Sequence, residues 1–138
     1  MWKVILDTNI LLICLSTKSK YRPIFDALIT GKYELIISNE ILNEYIEILA
    51  EKTNSNIAHN VAELLLALKN VKKIDVYYRW NLIRSDYDDN KFVDCAVAAN
   101  AAFIVSNDRH FNELQNIEFP KVKVIKADEF LTNLSNEK

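Results

Sequence analysis

Glycine is nearly missing from this chain: Gly31 is the only one in 138 residues. One glycine cannot build a phosphate-cradling loop or a dinucleotide-binding turn, so both chemistries are excluded. Proline is scarce too, at Pro23 and Pro120, and no repeat, low-complexity tract or linker stands out. The two cysteines, Cys14 and Cys95, are flanked by apolar residues and show neither metal spacing nor a redox pair. They read as reduced core thiols of a cytoplasmic protein. The two histidines, His59 and His110, are far apart and unaccompanied, which argues against zinc. His110 reads as a surface residue, with contact to substrate as the alternative. Positive charge is not in excess: the net charge is −2, which gives no bulk attraction to nucleic acid. The apolar opening, MWKVILDTNILLICL, is broken by Asp7 and Asn9. Without a charged leader or a small-residue cleavage site, it reads as a strand and helix start, neither signal peptide nor membrane span.

Half of the residues are hydrophobic and 26% are charged. That balance fits one globular domain over residues 1–138, with a sizeable core and a frayed terminal SNEK. Short apolar runs alternate with amphipathic stretches. Strands are expected at 2–6, 33–37, 72–77, 103–106 and 121–126. Helices are expected at about 8–15, 24–29, 39–52, 57–69, 90–101, 108–114 and 127–134. This alternation predicts an α/β fold with a mostly parallel sheet of about five strands.

Four acids carry the functional reading: Asp7, Glu44, Asp94 and Asp108. Asp7 ends the apolar run VIL and Asp108 follows the run FIV, so both belong at carboxyl ends of strands, where open parallel sheets bind ligands. Asp94 lies in FVDCAVAANAAFIV, where Asn100 is the only other polar residue. Burying a carboxylate there requires a cation, hydrogen bonds or a proton. Each acid also has a plainer role. Asp7 and Asp108 can cap helices, Glu44 belongs to a helical stripe with Glu40, Glu47 and Glu51, and Asp94 can cap or pair with Lys91. Converging carboxylates would suit Mg²⁺ or Mn²⁺.

The segments VILDTN at 4–9, SNEILNEYIEIL at 38–49, DYDDNKFVDCAVAANAAFIVSND at 86–108 and SNDRHF at 106–111 come in that order. Together they resemble the PIN-domain ribonucleases, and among them the VapC-type toxin components. The resemblance implies a three-layer α/β/α PIN-like fold. It carries the metal-binding acids onto Asp7, Glu44 (direct or through water), Asp94 and Asp108. It gives supporting roles to Thr8, Asn9, Asn90, Ser106 and Asp89, the last equally readable as a helix cap. Asn107 departs from a position where a glycine is often found.

The implied activity is a Mg²⁺- or Mn²⁺-dependent endoribonuclease using one or two ions and leaving a 5′-phosphate and a 3′-hydroxyl. The implied partners are an RNA substrate, a small antitoxin and a second copy of the chain as homodimer. Lys18, Lys20 and Arg22 form a basic loop in which Tyr21 could stack on a base. Arg79, Arg84, Lys91 and Arg109 are further candidates for phosphate contact. Alternative readings are a PIN nuclease of RNA processing without an antitoxin, a receiver-like Mg²⁺-binding domain, and a non-catalytic RNA- or protein-binding module.

Overall fold

Three runs, Val4–Leu6, Leu35–Ile37 and Phe103–Val105, are buried along their whole length. Apolar residues on both faces of a strand require a sheet covered on both sides, which is the parallel arrangement. The computed structural model describes residues 1–136 and shows this architecture. Five strands, β1 (Lys3–Leu6), β2 (Glu34–Ile37), β3 (Val71–Lys73), β4 (Phe103–Val105) and β5 (Val124–Ile125), form one sheet in the order β3-β2-β1-β4-β5. All four pairings are parallel, with Lys3 opposite Glu34 and Val4 opposite Phe103. The helices are α1 (Thr8–Leu15), α2 (Arg22–Ile29), α3 (Asn39–Lys52), α4 (Ser55–Ala67), α5 (Asn90–Ala99) and α6 (Ala127–Asn136). They cover the sheet in a three-layer α/β/α arrangement.

The helix boundaries follow from local chemistry. Ser38 accepts from the Ile41 N–H and Asn54 from the Ile57 N–H, which gives α3 and α4 side-chain caps. Asn100 ends α5 in the left-handed conformation, at φ 52° and ψ 50°, which asparagine tolerates better than branched residues. At one side of the core, Trp2, Tyr33, Phe103 and Phe130 stack edge-on and tilted, with ring centroids 5.1–6.4 Å apart.

Two strands are shorter than expected. β3 stops at Lys73, although the Ile74 N–H still bonds Ile37 O at 2.9 Å. Beyond it the KKIDVY pattern has no further neighbour to pair with, and 74–86 runs as irregular chain. β5 keeps only two residues because it too is an edge strand. α4 begins at Ser55 rather than 57, drawn forward by the Asn54 cap. α6 includes Ser135 and Asn136 of the terminal SNEK, and the rest of that expected frayed end lies outside the described residues. Among the described residues, no helix is long and apolar enough to cross a membrane.

The sheet order matters for function. β1 is flanked by β2 on one side and β4 on the other, so the direction of winding reverses between β1 and β4. The crevice outside the carboxyl ends of those two strands is the topological switch point, where such sheets bind ligands. The order also excludes the receiver-like alternative, whose sheet would place β1 between β2 and β3.

Candidate functional site

Asp7 is the first residue after β1 and Asp108 the third after β4, so both stand at the switch point. The Asp7 N–H donates to Val105 O at 3.0 Å, extending the ladder by one rung and fixing the direction of its side chain. Asp7 makes no side-chain cap to α1. Its carboxylate instead accepts a 2.7 Å hydrogen bond from the Ser106 hydroxyl. The same Ser106 oxygen accepts from the Asp108 N–H at 3.0 Å. Asp108 in turn accepts from the His110 N–H at 2.9 Å.

Glu44 projects from the second turn of α3 toward the same edge. Thr8 donates its hydroxyl to one Glu44 oxygen, and Lys91 Nζ donates to the other at 2.7 Å. Lys91 also donates to Asp88 O at 2.6 Å. Thus Lys91 pairs with Glu44, not with Asp94. This tethering separates Glu44 from the exposed remainder of its helical stripe.

Asp94 is held by the chain that precedes α5. It is buried, but its Oδ1 accepts from the Trp80 N–H at 3.0 Å. Burial raises its pKa, the Trp80 hydrogen bond and the Arg79 charge oppose that rise, and Glu40 adds to it. Asp94 is not among the charges that act on Asp7 or Asp89. Asn90, one turn earlier on the same face, accepts from the Ile83 N–H and donates to Ile83 O, both at 2.9 Å. Glu113 accepts from the Arg84 and Ser85 N–H groups at 3.2 and 3.1 Å. Asp94, Asn90 and Glu113 together hold the irregular segment 80–85.

Asp89 lies among the charges of Asp7, Asp86, Asp108 and His110. Five residues of helix turn the chain by roughly 140° from Asp89 to Asp94, so the two face different sides. Asp89 stands at the start of α5, only 8% exposed, and its carboxyl makes no helix cap. Burial raises its pKa to about 7, reinforced by the charges of Asp7, Asp86 and Asp108 and opposed by His110. Burial likewise raises Asp7 above the ordinary carboxylate range. The Ser106 and Thr8 hydrogen bonds oppose that rise, and Asp108 and Glu44 add to it. Mutual repulsion of this kind marks a site that a cation would relieve.

His110 is not unaccompanied. Its Nδ1 lies 3.1 Å from Asp108 Oδ1, 3.5 Å from Asp89 Oδ2 and 3.7 Å from Asp86 Oδ2. Asp108 is two residues away, but Asp86 and Asp89 come from 24 and 21 residues earlier in the sequence, so spacing alone could not reveal those two. Asp89 Oδ2 and His110 Nδ1 are both buried and without a hydrogen-bond partner among the described residues. Such orphans are rare in folded proteins and call for an explanation, an ion being one. The residues thus fit a divalent cation: buried oxygens, mutual repulsion and an unsatisfied donor atom meet at one place.

The supporting residues divide. Thr8, Asn90 and Ser106 are buried and bonded as described, whereas Asn9 is exposed. Asn107 accepts from the Ala127 N–H at 3.0 Å and so ties the loop after β4 to α6, work that a glycine could not do. Of the basic loop, Lys20 pairs with Asp128 at 3.0 Å and Arg22 with Asp26 at 3.0 Å. Arg109 lines a cleft of about 530 Å³ that starts at Ser106 and Asp108 and continues past Lys121 and Lys126. Burial raises both cysteine thiols to about 12, consistent with inert core residues.

A family model described as PIN domain matches residues 3–110. The chain belongs to the PIN-domain family. No curated protein matches it. Its fold is similar to VapBC2 from Rickettsia felis, solved bound to a DNA fragment from its promoter. The TM-score is 0.62 at 16% identity, covering 90% of this chain and 98% of that one. It is also similar to VapC20 from Mycobacterium tuberculosis, a sarcin-ricin loop cleaving toxin. Here the TM-score is 0.58 at 14% identity, covering 79% and 92%. The PIN domain of human SMG5 gives 0.57 at 14% identity, covering 95% and 98%.

Proposed function

We propose that this PIN domain is a divalent-metal-dependent endoribonuclease whose centre is Asp7, Glu44, Asp89 and Asp108. The observation that carries this reading is the pair of buried carboxyls, Asp7 and Asp89. Both are pushed upward by burial and by Asp108, at the switch point of a parallel sheet. Membership of the family supports the nuclease class. Asp94, assigned a metal-binding role on sequence grounds, becomes a positioning residue that holds Trp80.

Bound at these oxygens, Mg²⁺ or Mn²⁺ would supply a Lewis acid that activates water and stabilises charge on a scissile phosphate. The chain's own groups prepare for this. Ser106 orients the Asp7 carboxylate through its hydroxyl and sets Asp108 through its oxygen. Thr8 and Lys91 hold both Glu44 oxygens. Asp89 presents an unengaged oxygen. No side chain is asked to act as nucleophile. The cleft carrying Arg109, Lys121 and Lys126 offers cations for the RNA backbone.

Likeness to VapBC complexes and to a toxin VapC supports a toxin controlled by a small antitoxin. We extend this reading to a homodimer in the cytoplasm. The test is cleavage of labelled RNA by the purified chain in Mn²⁺ or Mg²⁺, beside EDTA and the Asp89→Asn variant. Metal-dependent cutting lost in both controls supports the reading. Equal cutting by Asp89→Asn overturns the site assignment.

A further inference from the structure

The imidazole among the acids is not explained by a purely carboxylate centre. Oxygen-only sets suit Mg²⁺, whereas imidazole nitrogen suits transition ions. One donor atom from each of Asp86, Asp89 and His110 lies within 4.8 Å of the others. His110 Nδ1 is 3.5 Å from Asp89 Oδ2 and 3.7 Å from Asp86 Oδ2. Around an ion with bonds of about 2.0–2.2 Å, neighbouring ligand atoms stand roughly 3.0–3.5 Å apart. The observed spacing is close to that before any ion draws the groups inward.

A second observation points the same way. Asp89 is only 8% exposed, and its Oδ2, aimed at His110, has no hydrogen-bond partner among the described residues. His110 Nδ1 is equally orphaned, although Asp108 Oδ1 lies 3.1 Å away. The Asp108 carboxylate is already engaged by the His110 backbone N–H. The imidazole is therefore turned toward three carboxylates without being hydrogen-bonded to any of them. Asp86 reaches this place because Glu113, Asn90 and Asp94 fix the segment just before it.

We propose that Asp86, Asp89 and His110 form a mixed carboxylate–imidazole cation site that takes Zn²⁺ or Mn²⁺ in preference to Mg²⁺. It adjoins the centre of Asp7, Glu44 and Asp108, with Asp89 shared between the two. The proposal rests on the reading of this edge as cation-binding and deepens it by naming the ion class. Of the two histidines, His59 serves as an internal control: it is exposed on α4 and, among the described residues, pairs only with Glu63, at 3.0 Å.

The test is a titration of the full chain with Zn²⁺, followed by ¹⁵N resonances of both imidazoles, together with calorimetry of Zn²⁺ and Mg²⁺ binding. His110 Nδ1 should shift at concentrations that leave His59 unmoved. His110→Asn and Asp86→Asn should each weaken Zn²⁺ by at least about tenfold, as loss of even an outer-shell partner does, and weaken Mg²⁺ by a smaller factor. Circular dichroism confirms that each variant is folded, and two independent variants guard against one that is not. An unmoved His110 at saturating Zn²⁺, a response equal to that of His59, or wild-type Zn²⁺ affinity in both variants overturns the proposal. Failure of the nuclease reading is separate. It appears as no RNA cleavage in Mg²⁺ or Mn²⁺ even when His110 binds zinc.

Discussion

Ser106 and Asp7 are 99 residues apart, and the Ser106 hydroxyl donates to the Asp7 carboxylate at 2.7 Å in the buried crevice between β1 and β4. The bond exists because the two strands pair in register, with Leu6 opposite Val105. It lowers the proton affinity of Asp7 against the burial that raises it. Removing the hydroxyl by Ser106→Ala should therefore weaken metal binding about 10- to 100-fold, the usual cost of losing a partner behind a ligand. Ser106→Thr should keep most of the affinity. Calorimetry with Mn²⁺ decides; equal affinity in Ser106→Ala would mean that Asp7 needs no orientation.

Asp89 and Asp94 should separate cleanly under mutation. Asp89→Asn should abolish metal-dependent turnover by about a hundredfold or more, the scale on which a single preorganised charge-stabilising group acts. Asp94→Asn keeps an oxygen for the Trp80 N–H and should retain both fold and metal binding. Asp94→Ala leaves that N–H without its acceptor and should cost about 1–3 kcal/mol of stability. Denaturant melts and metal titrations of the three variants test this. Loss of metal binding in a stable Asp94→Asn would return Asp94 to the centre.

Much of this arrangement was legible in the sequence, and the exceptions have physical causes. Asp7 and Asp108 follow three-residue apolar runs, so the strand ends placed them correctly. The apolar neighbours of Asp94 announce its burial, but burial says nothing about what compensates the charge. A backbone N–H at Trp80 does so here. Asp89 reads from the sequence as a supporting residue or a helix cap, because it lies in the polar run DYDDN, where a 3-10 turn, Tyr87–Asp89, leads into α5 and blurs the helix start. Its role depends on which way the first turn of that helix faces. Glu44 was chosen from its acidic stripe only by family resemblance. In the structure Thr8 and Lys91 converge on it, contacts that no periodicity could show.

The pKa of Asp89 predicts an unusual pH dependence. The group is raised from an ordinary 3.8 to about 7 in the folded chain. For an acid raised on folding, the unfolded state releases its proton first. Stability is then fully present below the unfolded value and is lost progressively as pH rises toward the folded one. The metal-free protein should therefore lose stability between about pH 4 and 7, and Asp89→Asn should flatten that slope. Saturating Mn²⁺ should restore the melting temperature above pH 7, because an ion holds the charged form. Thermal melts across this range check both signs; a wild-type slope in Asp89→Asn would assign the effect elsewhere.

Lys91 holds Glu44 at 2.7 Å while both side chains are largely shielded, at 14% and 26% exposure. The ammonium group thus supplies positive charge to the acidic edge in the absence of an ion. Replacing it by Lys91→Met, which keeps most of the stem, should act in two directions. The metal-free chain should become less stable by about 1 kcal/mol, the upper end for a partly exposed pair. Mn²⁺ should bind more tightly, because the edge becomes more negative and Glu44 is released from a competing cation. Opposite signs in the melt and the titration distinguish this from general destabilisation, which would lower both. A loss of Mn²⁺ affinity in a folded Lys91→Met would show instead that Lys91 serves to aim Glu44, and that its charge is not in competition with the metal.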